Sequence, residues 1–184
     1  MNKYWIWFSR INKIGAKLQN ELLEKYETPE VIWNLEKSEL QTIAKMGQVN
    51  IILNEEYRQN LEKYVDYMEK HKIKMITIKD EKYPQKLRNL YDPPVVLYVL
   101  GNTNILNSKG IAIIGSRVCT EYGKQVAKEF AYNLSKANIN VISGLANGID
   151  TYAHLGAINA NKPTIAVIGS GLDKMYPKEN IRFI

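Results

Sequence analysis

The chain has 184 residues, of which 45% are hydrophobic and 24% charged, with a net charge of +6. That length and balance suit one ordinary globular domain or two small ones and exclude a disordered chain. Apolar runs fall far short of the roughly 20 residues that cross a bilayer, and a single cysteine, Cys119, excludes an internal disulfide and paired-cysteine zinc sites.

From about Trp5 to His71 the apolar spacing is helical. "GAKLQNELLEKY" puts Leu18, Leu22, Leu23 and Tyr26 on one stripe, and "NLEKYVDYMEK" does the same with Leu61, Tyr64, Val65 and Met68. Thr28-Pro29-Glu30 reads as an N-cap followed by proline at the first helical position. Ser38, with Gln41 three residues on, predicts a capping box and a helix start there. Gly15 and Gly47 fall near helix junctions, as a tight turn between packed helices or a close approach to a DNA phosphate would require. Residues 1–70 carry 10 Lys+Arg against 11 Asp+Glu, and near-neutral charge favours the turn. A small helical domain is expected over residues 1–70, with a structural or partner-binding task.

The character changes over residues 71–184. "MITI" and "VVLYVL" are β-branched runs separated by the breaker Asp92-Pro93-Pro94. "GIAIIG" then predicts a strand, and "EYGKQVAKEFAYNLSKAN" a helix with Val126, Ala127, Phe130, Ala131 and Leu134 facing inward. "INVISG" follows as a strand, "IDTYAHLGAINAN" as a helix and "PTIAVIG" as a third strand. The continuously apolar strands are those of a parallel sheet covered on both faces. Short loops and right-handed crossovers give an α/β, Rossmann-like domain over residues 71–184. This part holds 15 Lys+Arg against 8 Asp+Glu, a surplus of +7 that suits an anionic partner.

Loops leaving the C-terminal ends of parallel strands lie side by side, where ligands bind. Here they are "GSRVCTEYG", "SGLANGID" and "GSGLDKMYP", each opening on glycine or serine-glycine. Glycine lets backbone amides approach an anion, and the helices that follow favour negative charge. Arg117 adds a fork of donors for a phosphate, with Lys174 and Lys178 leaving the third loop nearby. No GxxxxGK[ST] string occurs, and the first loop lacks the GxGxxG fingerprint, which disfavours nucleotide sites of both usual kinds. Asp150 and His154 lie four apart and admit two readings, an acid–base pair or a helix cap beside a buried polar contact. The absence of a nucleophile or second carboxylate favours the cap. Two histidines, His71 and His154, give no histidine metal site, and neither metal nor cofactor is expected. Tyr122, Tyr152, Tyr176 and Phe183 beside a basic edge suit stacking of unpaired bases. The N-terminus "MNKYWIWFSRINKIG" lacks the long apolar core and cleavage site of a leader, so a cytoplasmic protein is expected.

"DEKYPQKLRNLYDPPVVLYVLGN", "IAIIGSR…YG", "ISGLANGIDTYAHLGAI" and "TIAVIGSGLDKMYPKEN" resemble, in order and nearly without gaps over residues 80–180, the DNA-processing protein A (DprA/Smf) family. The resemblance implies a non-enzymatic protein that binds single-stranded DNA and assists loading of the RecA recombinase, as in natural transformation. It implies a phosphate-binding pocket of Gly115, Ser116 and Arg117, of Ser143, Gly144, Ala146 and Gly148, and of Gly169 and Gly171, with Lys178 as a second basic contact and Lys174 by position. It also implies a homodimer in the full-length form and a C-terminally truncated chain here, which puts dimerisation and recombinase contacts in question. The rival is a nucleotide-binding enzyme of the lysine-decarboxylase-like Rossmann group, a nucleoside monophosphate phosphoribohydrolase. That group carries a PGGxGT loop, and no such loop occurs here.

Overall fold

The computed structural model describes residues 2–11 and 13–183. They form two compact units, Met1–Gly101 and Asn102–Ile184.

Among the described residues of the first unit, six α-helices precede a strand pair: α1 Lys3–Arg10, α2 Ala16–Tyr26, α3 Pro29–Trp33, α4 Lys37–Leu40, α5 Met46–Ile52 and α6 Leu61–Lys70. Leu18, Leu22 and Leu23 of α2 are buried, as their spacing predicts, and so are Trp7, Phe8, Ile32 and Val49. Thr28 caps α3 by accepting from the Val31 amide at 3.3 Å, with Pro29 opening the helix. The capping box at Ser38 is not formed. Helix α4 starts two residues earlier, capped by Glu36, because the Glu39 carboxylate reaches back to the Glu36 amide at 3.0 Å. Tyr64 is exposed rather than inward, with the Arg10 guanidinium 3.8 Å above its ring. Strands β1 Lys74–Thr77 and β2 Val96–Val99 pair antiparallel, Lys74 opposite Val99. The short helix α7, Gln85–Arg88, lies between them in sequence, and the buried Tyr83 hydroxyl donates to the Pro94 carbonyl at 2.6 Å. This pair belongs to the first compact unit, which ends at Gly101.

The second unit is the expected α/β arrangement. Strands β3 Gly110–Ala112, β4 Asn140–Ser143 and β5 Thr164–Ala166 form a parallel sheet in the order β3-β4-β5. Helices α8 Glu121–Lys136 and α9 Ile149–Asn159 connect them. Both crossovers step across the sheet in one direction, so a right-handed path puts both helices on one face. Coverage of both faces, expected from the apolar strands, is therefore not found among the described residues. Val141, Ala131, Ala153 and Ala157 make the core on the helical side, while Ile114 and Val167 stay 75% and 63% exposed.

Phe130 departs from expectation in the same way, at 64% exposed. Helices α8 and α9 meet through small residues. A Cβ at Gly156 would lie 2.3 Å from the Lys128 carbonyl oxygen and 2.6 Å from the Ala131 Cβ. So close a contact gives the interface to Ala127, Ala131 and Ser135, all buried, and turns Phe130 aside.

Candidate nucleic-acid interface

The three glycine loops leave β3, β4 and β5 at one edge, but they are built differently. In the first, Ser116 Oγ accepts from the Val118 amide at 3.2 Å and donates to the Val118 carbonyl at 2.5 Å, which curls the loop around Arg117. Thr120 then caps α8 by accepting from the Gly123 amide at 3.1 Å. Arg117 is exposed, and no ion pair or hydrogen bond holds its side chain among the described residues. Val118 and Tyr122 project at 91% and 78% exposure. One turn into α8, Lys124 pairs with Glu121 at 2.5 Å, and its ammonium lies 5.7 Å from the Tyr152 ring centre. The bond to Glu121 raises the Lys124 pKa, which keeps the side chain cationic.

The second loop turns its amides inward. Asp150 is buried in the first turn of α9, and its Oδ2 accepts from Gly144 N at 3.0 Å and Ala146 N at 3.4 Å. An internal carboxylate therefore stands where an anion was expected to lie. Gly148, at φ +79°, presses against the first loop: a Cβ there would sit 2.2 Å from the Ser116 carbonyl oxygen and 2.6 Å from that of Arg117. The Ile149 amide donates to Ser116 O at 3.2 Å across the same seam. Gly115 faces it, since a Cβ there would meet Ile149 Cγ1 at 2.7 Å. Below, Ser143 Oγ donates to the Ile113 carbonyl at 2.6 Å.

The third loop returns by the turn Lys178–Phe183. The buried Asn180 Nδ2 donates to Leu145 O at 2.9 Å, to Ala146 O at 3.2 Å and to Thr151 Oγ1 at 2.8 Å. Asp150 holds the second loop by its amides and Asn180 holds it by its carbonyls. Gly169 stands in open space, and Lys174 and Lys178 are exposed.

These elements enclose an open groove of about 450 Å³, walled by Arg117, Cys119, Lys124, Gly148, Tyr152 and Asn180. The profile of the family described as DNA recombination-mediator protein A matches residues 74–184, the β1–β2 pair and the whole of the second unit. The chain belongs to that family.

Relatives of this recombination-mediator family include Protein Smf of Synechocystis, 33% identical over 96% of this chain and 46% of its own length. DNA processing protein DprA of Bacillus subtilis is 34% identical over 94% of this chain and 59% of its own. The chain thus spans about half the length of these curated relatives. The solved DprA from Streptococcus pneumoniae superposes with a TM-score of 0.79 at 32% identity, over 99% of this chain and 62% of that one. The Helicobacter pylori DNA processing protein A superposes with a TM-score of 0.53 at 33% identity, over 60% of this chain and 49% of that one. That structure concerns the single-stranded DNA binding mode of the Helicobacter protein.

Of the positions drawn from the family resemblance, Arg117 and Gly148 line the groove, with Gly115 and Ser116 directly behind. Ser143, Gly144 and Ala146 are engaged within the protein. Gly169, Gly171, Lys174 and Lys178 lie outside the groove wall, on and after the third loop. Lys124, Asn147, Thr151 and Asn180 line it without having been anticipated. Lys124 was legible in principle, since a basic residue in the first turn after a phosphate-type loop faces the same edge. His154 is buried, its Nδ1 2.9 Å from Thr164 Oγ1, which itself donates to Val141 O at 2.8 Å. The proton therefore sits on Nδ1. Burial lowers the imidazole pKa, with Asp150 opposing weakly, so the ring is neutral. Among the described residues no group of three His, Cys, Asp or Glu side chains could hold a metal, and no helix is long and apolar enough to cross a membrane.

Proposed function

We propose that the chain binds single-stranded DNA along the groove beside Arg117. A free guanidinium at the groove wall, flanked by Lys124 and the Tyr152 ring, carries this reading. Arg117 takes a backbone phosphate in a charge-assisted pair. The exposed Val118 and Tyr122 offer apolar surface to unpaired bases, which a duplex keeps stacked inside. Lys174 and Lys178, exposed and outside the groove wall, add positive charge to the third loop and the turn that follows it. The DNA-binding mode described for the Helicobacter protein supports the assignment of ligand. Asp150 and His154 serve internal bonds, which fits a binding protein better than a phosphoribohydrolase. In a full-length family member the same strand-holding site serves delivery of DNA to the RecA recombinase, within a homodimer, during natural transformation and recombination.

The test is a titration of labelled oligo(dT) and of the matching duplex at several salt concentrations. Tighter binding of the single strand, weakening steeply as salt rises, is expected. Arg117→Ala should cost about 1–3 kcal/mol, the size of a charge-assisted contact. Equal affinity for duplex and single strand, or indifference to Arg117→Ala, would refute the proposal.

A further inference from the structure

We infer that Asp150 is the positioning residue of this interface, an internal anion that locks the second loop so that it braces Arg117 without touching DNA. The inference rests on the single-strand-binding reading above. In a parallel α/β sheet the amides of a loop that leaves a strand's C-terminal end and opens a helix are candidates for an anionic ligand. Here Gly144 N and Ala146 N both point at Asp150 Oδ2, 3.0 and 3.4 Å away, and the carboxylate is buried. A Cβ at Gly144 would come within 2.7 Å of that oxygen, so the loop is closed over it with no room for a phosphate.

The lock is transmitted. With its amides held, the loop presents Gly148 against the carbonyl oxygens of Ser116 and Arg117, and the Ile149 amide bonds Ser116 O at 3.2 Å. The backbone that carries Arg117 is thereby fixed from behind. Asn180 secures the carbonyl side of the same loop. The two loops divide the work: the first meets the ligand and the second sets where it meets it. Filling the second loop's amides with a carboxylate also denies them to free phosphate and to the phosphates of mononucleotides, while a strand running past Arg117 is unaffected.

The experiment compares wild type, Asp150→Ala, Asp150→Asn and Arg117→Ala in oligo(dT) binding with and without sodium formate, using sodium chloride of equal ionic strength as the control. Asp150→Ala should weaken binding about tenfold, the effect of losing the one charge-assisted bond from Arg117 that the loop positions. Asp150→Asn keeps an acceptor oxygen and should stay within about threefold of wild type by the same arithmetic. Formate, a free carboxylate, should restore Asp150→Ala and leave Arg117→Ala unrestored. A merely destabilised protein would not be rescued selectively.

Amide exchange and shift perturbation in the wild type give a second measurement that does not require Asp150→Ala to fold. Gly144 and Ala146 amides should exchange slowly and stay unshifted by oligo(dT), while those of the first loop move. Wild-type affinity in Asp150→Ala, no formate rescue, or large shifts at Gly144 and Ala146 would each overturn the inference. Failure of wild type to bind oligo(dT) would instead overturn the single-strand reading.

Discussion

Gly148→Ala offers the sharpest test of how the loops are joined. At φ +79° and ψ −130° the backbone occupies a region that residues with a Cβ rarely adopt, a strain of about 1–3 kcal/mol. The added Cβ would also lie 2.2 Å from Ser116 O and 2.6 Å from Arg117 O. Neither neighbour is a flexible side-chain end that can swing away, so the two loops must part. Parting stretches the Ile149 amide bond to Ser116 O, worth a further 0.5–1.5 kcal/mol or so. The combined loss is roughly 2–4 kcal/mol, which for a unit of this size lowers Tm by about 10 °C or more. Circular dichroism melts of Gly148→Ala and Gly169→Ala make the comparison, because Gly169 has ordinary φ and nothing within 4 Å of its Cβ position. Gly169→Ala should stay within about 0.5 kcal/mol of wild type. Equal melting of the two variants would refute the argument that the seam is tight.

Two further outcomes are expected. Asn180→Ala removes the donor to the Leu145 carbonyl and two further bonds, while Ala146 O keeps the Thr151 hydroxyl, at a cost of about 1–3 kcal/mol in urea unfolding. His154 is held neutral with a folded pKa below its unfolded value of about 6.5. Its contribution to stability is therefore complete above that pH and is lost as pH falls through the folded pKa. Urea midpoints from pH 8 to 5 should drop on the acid side for wild type, and less steeply for His154→Gln.

The elements that could be read from the sequence are those fixed by neighbours in the chain. Thr28-Pro29 starts a helix wherever it folds, and the leucines of α2 lie on one stripe in isolation. Glu36 displaced Ser38 as a cap through a local rivalry that turned on which residue Glu39 could reach. Phe130 was misplaced for a different reason. Periodicity marks the apolar side of a helix, but the partner's Gly156 selects small residues for the seam, and Gly156 is 26 positions away. Coverage of the sheet was equally hidden, since apolar strands do not record the direction in which the crossovers step. At the candidate site, the place of Arg117 on the groove wall was evident from its position after a strand. The inward turn of Gly144 and Ala146 depended on Asp150, which a helix-cap reading places correctly at the helix start without showing whose amides it holds.

The groove draws its walls from three stretches that meet only in the folded chain, with Asn180 pinning the third to the second. Under the proposed function, an oligonucleotide that fills it would bind the native state and have nothing comparable to bind in the unfolded chain. Occupancy and folding are then linked by mass action, about 2.7 kcal/mol of added stability at a free ligand concentration one hundred times Kd. A melting curve recorded against oligonucleotide length thus measures how many nucleotides the groove accepts, because the rise in Tm stops once the strand outgrows it.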